Sequence, residues 1–139
     1  MAKIDAFFKL MFDQGASDLH LVAGQQPILR LQGELERVKY KVLEQDELKT
    51  MLYEIAPETK IKTFEETGDV DFGYEIPGVA RFRANFFNQK YGCAAVFRQI
   101  PSKVLSAQDL GLAPILTAAA GYTKGLVLVT GPTGSGKST

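Results

Sequence analysis

Two stretches in the first half of the chain carry apolar residues at helical spacing. In the first stretch these residues fall at positions i, i+3, i+4, i+7 and i+8, on one face of a helix. They are Ile4, Phe7, Phe8, Met11 and Phe12. Gly15 follows where a left-handed cap ends a helix. A second helix is predicted at Leu48, Met51, Leu52 and Ile55 and ends at Pro57, and a third spans Glu58–Glu66 before Gly68.

Between and after these helices the pattern changes to that of strands. Leu19 and Leu21 alternate with polar neighbours, and Ile28 begins a second strand that turns at Gly33 into a third. Three further strands, rich in phenylalanine and β-branched residues, are predicted at Val70–Ile76, Ala80–Phe87 and Ala94–Ile100, with turns at Pro77-Gly78 and Asn88–Gly92. This first part of the chain therefore predicts an α+β domain, with helices on one face of an antiparallel meander.

A different pattern begins at Pro101. Ser106 and Asp109 resemble a capping box, with Asp in place of the usual Glu, and a helix is predicted over Leu110–Tyr122. The apolar run Gly125–Thr130 is typical of a strand buried on both faces of a parallel sheet. We therefore predict a domain over residues 1–100, a linker at 101–106 and the start of an α/β domain at 107–139.

Composition excludes several classes of protein. An apolar fraction of 45% and a charged fraction of 23% are ordinary for a folded chain. No apolar run approaches the roughly 20 residues that span a bilayer, and the first residues lack the pattern of a signal peptide. A single cysteine, Cys93, cannot form an internal disulfide, and no Cys/His cluster indicates zinc. We therefore expect a cytosolic protein without membrane insertion.

The net charge of zero is the sum of two unlike halves. Residues 1–70 carry 9 basic and 13 acidic side chains, whereas residues 71–139 carry 7 basic and 3 acidic ones. The second half is therefore suited to an anion, although chance scatter of surface charge gives the same pattern. Four phenylalanines, Phe82, Phe86, Phe87 and Phe97, are of the residue type that stacks on nucleic-acid bases. Without the basic surface of a nucleic-acid binder, we assign them to a core or subunit interface and expect no nucleic acid.

The last nine residues contain the phosphate-binding motif G-x-x-x-x-G-K-[ST] over residues 131–138, followed by Thr139. They read Gly131-Pro132-Thr133-Gly134-Ser135-Gly136-Lys137-Ser138-Thr139. The glycines let the backbone turn and aim N–H groups at phosphate oxygens. Lys137 carries its charge to the β and γ phosphates, and Ser138 supplies a hydroxyl ligand for Mg²⁺. The preceding apolar run is the context that the motif requires, so ATP and Mg²⁺ are the predicted cofactors, and an accidental glycine-serine match is the alternative.

A P-loop domain needs more than its loop. The following helix, the acidic residue that assists Mg²⁺ and the other strands of the sheet are absent after Ser138. We therefore expect this sequence to be part of a longer protein. By itself, the 139-residue chain is predicted neither to bind ATP tightly nor to hydrolyse it.

Several segments together resemble the type IV pilus retraction ATPases, the PilT/PilU-like proteins of the secretion ATPase superfamily. The matching segments are residues 15–21 (GASDLHL), 78–85 (GVARFRAN), 96–101 (VFRQIP), 109–112 (DLGL) and 125–139. The resemblance covers essentially the whole chain. It implies a PAS-like N-terminal domain, a short linker and a RecA-like ATPase domain that is truncated here after its first strand and P-loop. Only one short helix precedes Ser17, which favours the retraction branch over the pilus-extension and type II secretion ATPases.

The resemblance also implies residue roles and partners. Arg83 and Arg98 match arginines that reach nucleotide phosphates, and with Lys137 they are the predicted catalytic residues. A tight turn between their strands would bring the two arginines side by side, and a guanidinium fork suits a phosphate. Ordinary surface or ion-paired arginines are the alternative reading, and Arg81 is a weaker candidate or an interface residue.

The implied function is ATP-driven pilus retraction, and thus twitching motility, by a homohexamer. It would work in the cytoplasm against the inner-membrane pilus machinery at the pilus base. Two alternatives stay open: a pilus-extension or type II secretion ATPase, and a non-catalytic PAS-like module that binds a ligand or partner. We predict a structural hydrogen bond for His20 and simple packing for Cys93.

Overall fold

A computed structural model of the chain describes residues 3–100 and 106–131. The chain divides into two compact units, Met1–Ser102 and Lys103–Thr139. In the described part of the first unit the elements are α1 (Asp5–Asp13), β1 (Asp18–Val22), β2 (Ile28–Leu31), β3 (Glu34–Arg37), α2 (Gln45–Tyr53), α3 (Glu58–Thr67), β4 (Asp69–Ile76), β5 (Ala80–Gln89) and β6 (Gly92–Ile100). In the second unit the structure describes α4 (Pro114–Ala119).

The strands form one sheet in the order β3-β2-β1-β6-β5-β4, and all neighbours are antiparallel. The predicted α+β class with an antiparallel sheet is confirmed, and the predicted helices and strands of this unit fall within a few residues of the observed ones. The sheet is not one simple meander, however. Two three-stranded meanders meet where β1 pairs with β6, so the two ends of the unit lie side by side at its centre.

Aromatic packing seals one face of this sheet. Phe8 of α1 stacks on Phe82, with ring centroids 4.5 Å apart, and meets Phe97 edge-on at 4.8 Å. Phe64 of α3 meets Phe86 edge-on at 6.1 Å. Edge-on and offset ring pairs of this kind stabilise a core beyond the area that they bury. The helices therefore cover one face, as predicted.

The assignment of the four strand phenylalanines to the core is confirmed for three of them. Phe82, Phe86 and Phe97 are buried, whereas Phe87 is half-buried. The helical stripe of α1 also faces this core, except that Phe12 is 44% exposed.

The end of α1 is a Schellman motif that directs the chain into β1. The N–H of Ala16 donates to the carbonyl of Met11 at 2.9 Å, and the N–H of Gly15 donates to the carbonyl of Phe12 at 3.1 Å. Gly15 has φ +64°, which is accessible to glycine without strain. The predicted cap is confirmed, and three residues after it the chain enters β1 at Asp18.

A contact between α2 and β6 fixes the start of β6. The side-chain Oε1 of Gln45 accepts a hydrogen bond from the N–H of Cys93 at 2.7 Å. Gly92 has φ +129°, and a Cβ at this position would collide with the Gln45 amide. Cys93 itself is buried in the core, which confirms its predicted packing role. The turn predicted at Asn88–Gly92 is shorter than expected, because β5 continues to Gln89.

The helix predicted over Leu110–Tyr122 is wrong in its extent. The capping-box hydrogen bonds do form, with Ser106 N–H and Oγ donating to Asp109 Oδ2 at 2.9 and 2.8 Å. They cap only a turn, since Gly111 has φ +63°. The regular helix begins at Pro114, because proline lacks an N–H and forces the residue before it into extended backbone.

The strand predicted at Gly125–Thr130 is also wrong. These residues have no regular secondary structure, and Leu126 is 81% exposed. A strand of a parallel sheet needs neighbours on both sides for its backbone hydrogen bonds, and none of the described residues pairs with this run. The apolar pattern of this run is therefore not sufficient for it to form a strand. In the described part of the chain, no helix combines the length and apolarity needed to cross a membrane.

Candidate functional site

The face of the sheet opposite the helices carries polar and charged side chains. Because side chains alternate across a strand, the residues between the buried positions of β5 point to this face. They are Arg81, Arg83 and Asn85. Within the first unit, the helices pack against the apolar residues of the other face. Arg81 and Arg83 are therefore exposed on the face of the sheet that the helices leave open.

Arg83 and Arg98 lie directly opposite each other on β5 and β6. Their side chains are 66% and 68% exposed. The structure thus places the two predicted catalytic arginines side by side. Like charges directly opposite each other on a sheet are unfavourable, so this pairing requires compensation from nearby carboxylates.

A buried carboxylate compensates Arg98. Asp18 on β1 lies opposite Arg98 on one side and Arg30 of β2 on the other. The Nε of Arg98 donates to Asp18 Oδ1 at 2.8 Å, and the Nε of Arg30 lies 3.3 Å from Oδ2. The hydroxyl of Ser17 also donates to Oδ2, at 2.8 Å. The Asp18 side chain is only 6% exposed.

These contacts lower the pKa of Asp18. Burial alone would raise this pKa, but the hydrogen bonds from Ser17 and Arg98 and the charges of Arg98 and Arg30 outweigh it and lower the pKa below its ordinary value. The carboxylate therefore stays ionised at neutral pH. It holds one negative charge in the middle of the row Arg83–Arg98–Asp18–Arg30.

Arg83 and Arg81 are paired more loosely. The Nε of Arg83 lies 3.1 Å from Asp71 Oδ1, and the Nε of Arg81 lies 3.5 Å from Glu75. Both acids are on the edge strand β4, and at least half of each side chain is exposed. Exposed ion pairs of this kind contribute little to stability. Their carboxylates therefore compete poorly with a multivalent anion for the arginines.

A shallow cavity of about 330 Å³ lies between these groups. It is lined by Asp71, Arg83, Asn85, Val96 and Arg98. Its two guanidinium groups can donate several hydrogen bonds to one anion, which is the chemistry that phosphate recognition requires. The cavity is open, so it would need a second surface to enclose a ligand.

His20 lies on the same face and does not fulfil its predicted role. Its buried Nε2 has no hydrogen-bond partner among the described residues, so the predicted structural hydrogen bond is wrong at this atom. Burial lowers the pKa of His20; the charge of Asp18 opposes this shift, and those of Arg30 and Arg98 add to it. The imidazole is therefore neutral near neutral pH.

The predicted nucleotide-binding loop falls almost entirely outside the described residues. Of that segment the structure describes Gly131, which is exposed and irregular. Pro132, Thr133, Gly134, Ser135, Gly136, Lys137, Ser138 and Thr139 lie outside the described ranges. Between residues 3–100 and 106–131, no cluster of three or more His, Cys, Asp or Glu side chains offers a metal site.

Sequence reasoning missed the acidic partners of the arginines. Asp18 stands at the start of a strand and looks like any solvent-facing residue of an alternating pattern. Its burial arises because β1 is flanked by β2 and β6, each of which brings an arginine to it. The chain separates Asp18 from Arg98 by 80 positions, so no local signal links them.

Comparison with known proteins extends these observations. The chain is 51% identical over 126 residues to the type IV pilus retraction ATPase PilT of Pseudomonas aeruginosa, covering 91% of this chain and 37% of that protein. It is 43% identical over 113 residues to a twitching motility protein of Neisseria gonorrhoeae, covering 81% of this chain and 30% of that one. No family model matches the chain. The chain thus spans roughly a third of the length of these relatives.

A solved structure shows the same fold. The crystal structure of the pilus retraction motor PilT with bound ADP matches all of this chain and 41% of that one, with a TM-score of 0.88 and 38% identity. The resemblance drawn from the sequence motifs is therefore confirmed. In sequence and in fold, this chain is PilT-like and corresponds to the N-terminal part of the pilus retraction ATPases.

Proposed function

We propose that this chain is the N-terminal part of a hexameric motor ATPase that couples ATP hydrolysis to type IV pilus retraction and twitching motility. The similarity to the retraction ATPase of Pseudomonas aeruginosa along nearly the whole chain supports this proposal. The motor would act in the cytoplasm at the inner-membrane base of the pilus. Its partners would be further copies of itself and the pilus machinery.

ATP and Mg²⁺ are the proposed cofactors. The proposal rests on the motif over residues 131–139, in which Lys137 would neutralise the β and γ phosphates and Ser138 would ligate the metal. The related motor PilT was solved with bound ADP, which supports nucleotide binding. When bound, the metal would offset the charge that develops on the transferred phosphoryl group.

Arg83 and Arg98 are proposed to contact the phosphates from the N-terminal unit. The single observation that carries this role is their placement opposite each other on an exposed sheet face, with a cavity between them. Two guanidinium forks would bind more phosphate oxygens than one, and would stabilise negative charge in the transition state. The segment 101–106 would serve as the hinge between a PAS-like domain and a RecA-like domain during the motor cycle.

ATP turnover by a full-length protein that carries this chain tests the arginines. We expect Arg83→Ala and Arg98→Ala each to lower kcat/KM by about tenfold to a hundredfold, since each removes a charge-assisted contact from the transition state. Arg81→Ala is the matched control, because it removes an exposed arginine from the same strand face. An unchanged kcat and nucleotide affinity in Arg83→Ala would overturn the assignment.

The 139-residue chain itself provides a second test. We expect titration with ATP and Mg²⁺ to show weak binding, and we expect no turnover, because the strands and the acidic residue that complete a P-loop site are not in this sequence. Lys137→Ala controls for binding outside the loop. Micromolar affinity with turnover that Lys137→Ala abolishes would contradict this expectation.

The alternatives have different consequences. A ligand-binding PAS-like module would need an internal apolar cavity, whereas the centre of this unit is filled by stacked phenylalanines, which counts against that reading. A pilus-extension or secretion ATPase would carry a four-cysteine zinc pattern downstream in a longer protein. Sequencing or mass analysis of that protein would decide between the two ATPase branches.

A further inference from the structure

We propose that Asp18 is a positioning residue for the phosphate site, because its buried carboxylate fixes the guanidinium of Arg98 and leaves the outer edge of that group facing the cavity. The inference rests on the proposed role of Arg98 and adds a residue to it. Asp18 does not itself line the cavity, and among the residues proposed to contact nucleotide it forms a hydrogen bond with Arg98. It would therefore act through Arg98 alone.

The surroundings of Asp18 fix its orientation. β1 is an interior strand that pairs with β2 at three positions and with β6 at five. The backbone of Asp18 is therefore held by a neighbouring strand on each side. The carboxylate accepts hydrogen bonds from Ser17 Oγ and Arg98 Nε, each at 2.8 Å, and forms an ion pair with Arg30 Nε at 3.3 Å. With a hydrogen bond on each carboxylate oxygen, an ion pair to Arg30 and a side chain 6% exposed, the group has little freedom to rotate.

The two arginines bound to Asp18 have different tasks. Arg30 also donates from Nη1 to the carbonyl of Gly33 at 2.9 Å, so it secures the turn between β2 and β3. Arg98 uses Nε for Asp18, and within the described ranges its Nη groups have no protein acceptor. Arg98 also lines the cavity. Arg98 is thus anchored at one edge and available to an anion at the other.

Arg83 provides an internal contrast. Its partner Asp71 is half exposed and lies on the edge strand β4. An exposed pair restrains a long side chain weakly, so Arg83 would lose conformational freedom when an anion binds. Arg98 has already lost that freedom through Asp18. Such preorganisation increases affinity by removing an ordering cost at the moment of binding.

Nitrogen-15 relaxation of the arginine Nε–H bonds in the 139-residue chain tests the anchoring. We expect an order parameter for Arg98 close to the rigid-backbone value of about 0.85, and a fall below about 0.6 in Asp18→Ala. Asp71→Ala is the matched control and should leave Arg98 unchanged. If Asp18→Ala does not fold, Asp18→Asn replaces it, because one uncharged amide oxygen cannot replace the two carboxylate oxygens that accept from Ser17 and Arg98. An Arg98 order parameter that is independent of Asp18 overturns the proposal.

ATP turnover by the full-length protein tests whether the anchoring matters. We expect Asp18→Ala to lower kcat/KM about threefold to tenfold and Arg98→Ala about tenfold to a hundredfold, the scale of one charge-assisted hydrogen bond. The double variant should equal Arg98→Ala alone, since Asp18 acts through that residue. Losses that multiply in the double variant would mean independent roles, and would overturn the proposal.

The two assays separate the possible failures. If Arg98→Ala leaves turnover unchanged, the phosphate role proposed for Arg98 fails, whatever the relaxation data show. If Arg98→Ala impairs turnover but the order of Arg98 does not depend on Asp18, the positioning role fails while the proposed function stands. Arg30→Gln serves as a further control: it removes the other partner of Asp18, and equal losses in Arg30→Gln and Asp18→Ala would assign the effect to the β1–β2 pair and overturn the proposal.

Discussion

The two faces of the first unit's sheet are formed by the same strands but have different roles. On the helical face, alternate residues such as Phe82 and Phe97 are sealed against α1, with ring centroids less than 5 Å apart. On the other face, the residues between them form a row of arginines and carboxylates. Packing on the closed face supplies stability, whereas charge pairing on the open face mainly sets orientation. Variants of the two faces should therefore differ both in size of effect and in what they affect.

The closed face should give the largest loss of stability. We expect Phe82→Ala to lower the free energy of unfolding by about 3–5 kcal/mol, because it deletes a fully buried ring that stacks on Phe8 and leaves a cavity. Urea unfolding followed by circular dichroism measures the change. Phe12→Ala is the control, since that residue is 44% exposed whereas Phe82 is fully buried, and it should lose no more than about 1 kcal/mol. Similar losses in the two variants would refute the distinction between the faces.

A smaller loss is expected on the open face. Asp18→Ala should lower the free energy of unfolding by about 1–3 kcal/mol, because Ser17 and Arg98 lose their acceptor and Arg30 loses its ion-pair partner. Asp71→Ala should change it by less than about 0.5 kcal/mol. The same urea experiment compares the two. An Asp71→Ala loss as large as that of Asp18→Ala would show that exposure does not separate these carboxylates.

The sequence predicted the closed face much better than the open one. The helical spacing of Ile4 to Met11 and the alternation in β5 are local, so the core and most element bounds follow from neighbouring residues. The pairing of β1 with β6 joins residues far apart in the chain, and hydrophobic pattern does not specify which strands become neighbours. The juxtaposition of Arg83 and Arg98 was predicted from their sequence motifs and from the tight turn between their strands. Asp18 required the long-range register that brings it against Arg98.

In the second unit, prediction from the local sequence pattern failed. The run Leu126–Val129 has a stronger apolar pattern than β1, yet it is exposed and forms no strand. Backbone hydrogen bonds of a strand are made with other strands, and the described residues offer none to this run. The predicted helix shortened for a different reason, since Gly111 and Pro114 interrupt it. Proline and glycine were visible in the sequence and should have outweighed the apolar spacing.

The smallest effect expected on the open face is a pH dependence from His20. Burial, with added repulsion from Arg30 and Arg98, lowers its pKa in the folded state despite the opposing charge of Asp18. The unfolded chain therefore takes up the proton first, and stability present above about pH 6.5 is lost as the pH falls toward the folded-state pKa. Urea midpoints at pH about 7.5 and about 5.5 should show this loss in the wild type. His20→Gln should remove it, because glutamine does not titrate, and an equal loss in that variant would assign the pH dependence to other groups.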